Sequence, residues 1–479
     1  MAEEVKNTFV SHSSLGTVVN NLRNTDVHPP LYFMFLSIWR ELLGDNIVIL
    51  RSFSVICSAL AVITWIFTIW RMGFSPIALG LAVTLAYGFG YSGHIARGFA
   101  LAHLFVAFTV LAAVEAYRVR TRSWKFLSAW VAVAGLCGGF ATLTNYLAVF
   151  PVAAVLIWLI FNTPRKIISA ACAGLPFALA TAANLYFFIA QKSARVGQFE
   201  PFELFSIVIK LIQLNAASLF GGLPLYVSSG ARAPVEVALG ALLLMSTAMV
   251  VVAWRKLGPM RWLWLSGLLA PSLGLMGLGV IFGNSPAELR YVAFSVPFAA
   301  GLFVSTASVL YRNLPQVTSA WFTLVLVVEA AGALGMMVHP KTQQPFRAAL
   351  DAASPYFGSD TVLLVPAGND GVGIMGSILQ EVPRQQPILM MGHLNASTTP
   401  HRAAGFDKAL LIGIGDRDGI KQIQDASNAL REYPFWRSTG VIWRDFRGHY
   451  VEVFERTQNT QGANCISVAA ACKSVASTN

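Results

Sequence analysis

The chain has 479 residues, 55% of them apolar and 12% charged, with a mean hydropathy of +0.60. Soluble domains carry about 25% charged residues, so this composition excludes a disordered, fibrous or ordinary cytosolic protein. It also argues against a soluble nucleic-acid binder despite the net charge of +11, and leaves the membrane-protein classes. Cys57, Cys137, Cys172, Cys465 and Cys472 follow no CxxC or Cys/His spacing, which sets aside a disulfide scaffold and a structural zinc site.

In the segment up to Asp45, the informative stretch is Thr25-Asp26-Val27-His28-Pro29-Pro30-Leu31-Tyr32. Two prolines fix φ and force the residues before them out of the helical region, so Asp26 and His28 are expected on a stiff extended segment. Pro30 then opens an amphipathic helix, Phe33 to Leu43, that ends at Gly44. A carboxylate and an imidazole are thereby held at the water–membrane boundary. Read alone, the same residues also suit a helix cap at Asp26 and an interface-filling His28. This charged segment precedes the first apolar run, and an upstream first helix, missing from the chain as given, is the expectation.

A membrane span needs about 20 predominantly apolar residues, and scanning gives roughly ten. They are Ile47 to Trp70, Phe74 to Tyr91, Ala96 to Tyr117, Trp124 to Leu143, Asn145 to Phe161, Ile167 to Ile189, Val235 to Trp254, Trp262 to Phe282, Tyr291 to Tyr311 and Val317 to Val338. One alternating set of loops holds Arg71; Arg118, Arg120, Arg122 and Lys125; Arg165 and Lys166; Arg255, Lys256 and Arg261; and Arg312, with no Asp or Glu among them. That face is predicted to be cytoplasmic. The opposite face receives the N-terminal segment, the links around His94 and Asn145, the loop from Ala190 to Pro234, the stretch Gly283 to Arg290, and everything after His339.

On that opposite face, Arg51, Arg97 and Arg290 each stand at the end of a different span. Guanidinium groups bind phosphate oxygens bidentately, so together the three suit a lipid-linked phosphate at headgroup depth. Any one of them can instead snorkel or pair with an acid such as Glu288. Between Ala190 and Pro234, Phe199, Phe202, Leu204, Phe205, Val208, Ile209, Ile212 and Leu219 recur at helical spacing. They predict an amphipathic helix on the outer leaflet, able to cover a carrier or acceptor channel. His103 reads as a packed intramembrane histidine. Glu329, near the middle of the last span, is the best feature for a transporter, although a protonated or helix-paired structural Glu fits as well.

After the last span the pattern shifts to soluble α/β. Thr361 to Val365 and Ala409 to Ile414 read as buried strands, Ile420 to Arg431 as a helix, and Gly440 to Arg444 with Tyr450 to Phe454 as a closing strand pair. Gly413-Ile414-Gly415-Asp416 lacks the third glycine of a dinucleotide loop and reads as a strand-to-turn. The tail from Thr457 is expected to be disordered. The fold class is therefore an all-α polytopic membrane bundle with a small C-terminal α/β extracytoplasmic domain. It divides into a first extracytoplasmic loop (1–45), a transmembrane domain (46–338), the α/β domain (339–456) and a tail (457–479).

Asp26-x-His28-Pro29-Pro30-Leu31-Tyr32, the short apolar helix ending at Gly44, and Leu50-Arg51-Ser52-Phe53-Ser54 opening a span resemble the GT-C superfamily of polyprenyl-phosphate-sugar glycosyltransferases. They resemble in particular the bacterial relatives of the protein O-mannosyltransferases and of the lipid A aminoarabinose transferase. Tyr91-Ser92-Gly93-His94-Ile95-Ala96-Arg97-Gly98-Phe99 is similar to the family segment with an Arg entering a span, and Glu288-Leu289-Arg290-Tyr291 to its late Arg-Tyr segment. The family's acidic pair after the first span, usually Asp-Glu, matches Glu3-Glu4 here. His94 stands where family members often carry an acid, and Phe99 replaces a Tyr.

The resemblance implies transfer of a sugar from a polyprenyl-phosphate carrier to an acceptor at the outer face of a bacterial inner membrane, with inversion. Asp26, Glu4 and Glu3 are the expected catalytic residues, with Glu4 or Asp26 as general base. His28, Arg51, Arg97, Arg290 and Tyr291 are expected to bind substrate. A divalent metal ion is expected, if one is used, at Asp26 and His28, and the preferred division of labour gives Asp26 the metal and Glu4 the proton. The partners are then the lipid-linked sugar, an acceptor and the bilayer, without nucleic acid. A secondary transporter or lipid flippase is the alternative.

Overall fold

The computed structural model describes residues 14–25, 28–44, 46–94, 97–121, 123–191, 200–338, 346–366, 378, 382–383, 385–391, 397–414, 417–445 and 448–457. These belong to two compact units, one within His12–Thr342 and the other within Gln343–Asn479. Glu3, Glu4 and Asp26, Gly415 and Asp416 of the glycine-containing turn, and the tail cysteines lie outside the described residues.

The first unit is helical. Two helices, α1 (Leu15–Thr25) and α2 (Leu31–Leu43), lead into α3 (Ile47–Arg71), α4 (Pro76–Leu85), α5 (Tyr87–His94), α6 (Phe99–Val119), α7 (Trp124–Thr144), α8 (Val149–Phe161) and α9 (Lys166–Gln191). The chain continues through α10 (Leu204–Phe220), α11 (Ser229–Ala253), α12 (Met260–Phe282), the short α13 (Leu289–Val292), α14 (Val296–Leu310) and α15 (Pro315–Val338). Among the described residues, 8 helices are long and apolar enough to cross a membrane, with three shorter apolar helices beside them. The protein is an integral membrane protein, and the expected bundle is present with a different division of its apolar runs.

Two runs predicted as spans are not single long helices. Phe74 to Tyr91 forms α4 and α5, broken where Ala86 turns extended at ψ 124. The second piece, YGFGYSGH, is glycine-rich and a weak helix former. Its glycines admit close neighbours: a Cβ at Gly88 would lie 1.7 Å from Ser218 Oγ, and one at Gly93 would lie 2.7 Å from Ser58 Oγ. Asn145 to Phe161 becomes a 3-10 turn, Tyr146–Ala148, followed by the 13 residues of α8, about 20 Å of helix at 1.5 Å per residue. The predicted surface helix is α10, and it does not simply lie on the outside. Ile207, Leu211, Ser218, Leu219 and Phe220 are buried, and the helix packs against α5, α13 and α15.

Helices α6 and α14 form the centre. Both are buried over most of their length, and α6 is rich in Ala100, Ala102, Ala107, Ala112, Ala113 and Ala116, small side chains that let membrane helices approach closely. Around them Trp65, Trp264 and Phe298 interlock, with the Trp65 ring 5.3 Å from Phe298 and 6.3 Å from Trp264. At the basic end Glu115 of α6 binds Arg71 of α3 through two contacts, Nε–Oε1 2.6 Å and Nη2–Oε2 2.8 Å. Arg118 adds a third at 3.1 Å. The opposite ends of these helices form the far end of the bundle.

The second unit is a five-stranded sheet of order β2-β1-β3-β5-β4: β1 (Thr361–Pro366), β2 (Ile388–Met391), β3 (Lys408–Gly413), β4 (Trp436–Arg444) and β5 (Tyr450–Arg456). The first three strands are parallel and β5 runs antiparallel to β3. All six residues of β1 are buried, because α16 (Phe346–Ala353) covers one face and α18 (Arg417–Glu432), after the short α17 (Thr399–Arg402), the other. Buried Glu452 is accommodated by the hydroxyls of Ser427 and Ser438, each 2.8 Å away, and by Arg431. The two predicted long strands, the helix and the closing pair are all present; β2 and α16, of four and eight residues, are too short to stand out in the sequence.

Candidate active site at the far end of the bundle

The proline motif forms as its chemistry dictates. Pro29 and Pro30 are buried, Pro30 caps α2 at φ −80, and Gly44 ends it at φ 105, a conformation that L side chains rarely adopt. Tyr32 is fully buried and shares a hydrogen bond of 2.8 Å with Ser54 Oγ of α3. Burial pushes its phenol up to about 12. Trp39 Nε1 donates to the Ile49 carbonyl at 3.0 Å. The motif is thus bound to the helix turn that carries Arg51, whose side chain is exposed. His28 is half-buried, its ring 6.0 Å from that of Phe33.

Arg290 stands differently. It forms an ion pair with Glu288 at 2.5 Å, its side chain is 17% exposed, and its guanidinium lies 5.3 Å from the Tyr291 ring centre. Its Nε is buried with no hydrogen-bond partner among the described residues. Tyr291 stacks at 6.4 Å on Phe99, the first residue of α6, and Arg97 lies half-buried in the link just before it. A Cβ at Gly98 would meet the Thr144 carbonyl at 2.2 Å, so no larger residue fits there without moving that link. The late Arg-Tyr segment and the Arg97 segment are therefore neighbours, and Gly93 on Ser58 brings the end of α5 onto α3 beyond Arg51.

Three tyrosines extend this region. Tyr91 lies within electrostatic reach of Arg290 and stacks on Tyr87 at 6.5 Å, whose hydroxyl meets that of Tyr226 at 2.9 Å. Sequence reading missed Tyr87 and Tyr226, since nothing in a hydropathy pattern links residues on α5 to the turn after α10. His103 is packed as expected, 3.1 Å from Ser92 Oγ. Among the described residues no three His, Cys, Asp or Glu side chains come together to hold a metal. The expected Asp26–His28 pair is represented there by His28, because Asp26, like Glu3 and Glu4, lies outside them.

The architecture finds its counterpart in a solved structure. ArnT from Cupriavidus metallidurans in the apo state superposes with a TM-score of 0.50 at 13% identity, covering 94% of this chain and 92% of that one. The two chains share a fold. The structure of the same protein bound to undecaprenyl phosphate superposes with a TM-score of 0.49 at 13% identity, covering 91% and 89%. Residues 27–189 of this chain match the family described as Dolichyl-phosphate-mannose-protein mannosyltransferase. None of the curated proteins matches it. The matched segment contains His28, Arg51 and Arg97 and stops short of Arg290 and Tyr291, which the fold returns to the same end.

Proposed function

We propose that this protein transfers a sugar from a polyprenyl-phosphate carrier to an acceptor hydroxyl at the outer face of a bacterial inner membrane, with inversion at the anomeric carbon. One observation carries the reading. Arg290, on a segment outside the family-matched region, is half-buried beside the Arg97 link with a buried Nε that has no partner among the described residues, in a chain whose matched segment resembles enzymes named for a polyprenyl-phosphate sugar. The basic loops at the other end support an outward-facing site and a periplasmic C-terminal unit.

In the proposed step a carboxylate, Glu4 with Asp26 as the alternative, takes the acceptor proton. The acceptor oxygen forms its bond to the anomeric carbon as the bond to phosphate oxygen breaks, and the electron pair leaves with the phosphate. Arg290, Arg97 and Arg51 meet the charge that develops there, and Tyr291 and His28 bind the donor. Asp26 and His28 would hold a divalent ion if one is used, and it would supply positive charge at the same place.

The test is transfer by the purified chain in nanodiscs, with undecaprenyl-phosphate-mannose as the first donor of a panel varied in sugar. Release of undecaprenyl phosphate that depends on Arg290 and Asp26 is the expected result. Release unaffected in both Arg290→Ala and Asp26→Asn would overturn the reading, and carrier movement across the bilayer without sugar transfer would favour a flippase.

A further inference from the structure

The segment carrying His28 is held by a residue distant in sequence. Gln191, the last residue of α9, is 5% exposed. Its Nε2 donates to two backbone carbonyls, Leu22 at 2.8 Å and His28 at 3.2 Å. Its Oε1 accepts the Tyr146 hydroxyl at 2.8 Å. A carboxamide has two N–H donors, and both are committed here. The amide orientation is determined by these partners, because the reverse would set oxygen against two carbonyl oxygens.

Leu22 lies in the last turn of α1, where helix carbonyls have no intrahelical partner, so Gln191 satisfies a group that the helix itself cannot. The same side chain then binds the residue preceding the first proline. On the far side of the prolines, Tyr32 is bonded to Ser54. His28 is therefore anchored through its own backbone to α9 and through Tyr32 to α3, while its ring faces Phe33 edge-on. Arg23 adds a contact between α1 and α9, its guanidinium 4.3 Å from the Tyr186 ring centre.

We infer that Gln191 is a positioning residue, fixing the backbone of His28 so that the imidazole is presented to the lipid-linked sugar, with Tyr146 holding the carboxamide in place. The inference rests on the proposed role of His28 in sugar transfer. Gln191→Leu keeps the side-chain size and removes all three hydrogen bonds. Gln191→Glu keeps the bond from Tyr146 and turns two attractive contacts into repulsions between oxygens. Tyr146→Phe removes only the support.

Two measurements on the full chain in nanodiscs test this. Hydrogen exchange over residues 18–34 is expected to rise about tenfold in Gln191→Leu, as for a local opening, with the rest of the bundle unchanged. Transfer from undecaprenyl-phosphate-mannose should lose about 10²-fold in kcat, the scale of a small misplacement, with donor KM nearly constant. Gln191→Leu combined with His28→Ala should be no slower than His28→Ala alone. The ratio of Gln191→Glu to wild-type rates should rise toward acid pH, as the new carboxyl regains a donor proton, and Tyr146→Phe should show a smaller loss. Unchanged exchange with wild-type kcat, or single losses that multiply in the double variant, would overturn the inference. If His28→Ala transfers at the wild-type rate, the role of His28 fails and the positioning role with it. If His28→Ala is slow while Gln191→Leu is not, only the positioning role fails.

Discussion

Two arginine–glutamate pairs sit at opposite ends of helix α6, and they are built differently. At the basic end Arg71 and Glu115 are joined through both carboxylate oxygens, and Arg118 takes a further share of Oε1. At the far end Arg290 meets Glu288 through one contact and keeps a buried Nε without a hydrogen-bond partner among the described residues. A saturated pair fastens α3 to α6 and has little left to offer a ligand. An unsaturated guanidinium against an aromatic ring retains donors for an anion. Charge alone does not distinguish the two pairs; the remaining hydrogen-bonding capacity does.

The contrast can be broken most sharply at Arg290. Arg290→Ala is expected to lower transfer about 10²- to 10³-fold, the loss typical of removing one group that stabilises developing charge, with little change in melting temperature. Arg290→Lys should recover part of the rate, since it keeps the charge without the planar fork. Chelating divalent ions asks whether the far end also uses a metal: a loss of about 10- to 100-fold that manganese or magnesium restores would support one at Asp26 and His28, and an unaffected rate would remove it.

Glu115→Ala probes the saturated end. It leaves Arg71 and Arg118 without their shared carboxylate, so a fall of several degrees in the thermal midpoint is expected, with transfer per folded molecule unchanged. Tyr32→Phe should destabilise the bundle by about 1–2 kcal/mol, because Ser54 loses its buried partner. Burial raises the Tyr32 phenol to about 12, so the neutral form is favoured by the fold. Its contribution is fully present below about pH 10 and is lost as pH rises through about 12, and alkaline unfolding should be less steep in Tyr32→Phe. The smallest effect is expected from Glu329→Gln. Glu329 is buried in α15 with Oε2 unpartnered among the described residues, and transfer is expected within about twofold of wild type; a large loss would return weight to the transporter alternative.

Several of these features are readable without a structure. The prolines before α2, its end at Gly44 and the basic loops follow from local stereochemistry and from the cost of moving cations across a bilayer. The grouping of Arg97 with Arg290 follows too, because both had to lie at the same face. The break at Ala86 and the burial of α10 were hidden. A hydropathy run averages over all sides of a segment, whereas Gly88 against Ser218 is one specific approach. Glu115 was overlooked inside an apolar run, and Gln191 carries no local signal, since a lone glutamine at the end of a span reads as an ordinary interfacial residue.

The amino-acid order alone therefore decides that this protein lives in a membrane, which way its loops divide by charge, and which short segments are stiff, because those properties depend on neighbours along the chain. Packing decides the rest: which arginine is saturated and which is open, and which distant amide holds His28. Hydrogen-bond partners separated by more than a hundred residues are chosen by close contact between helices, and no local pattern encodes that choice.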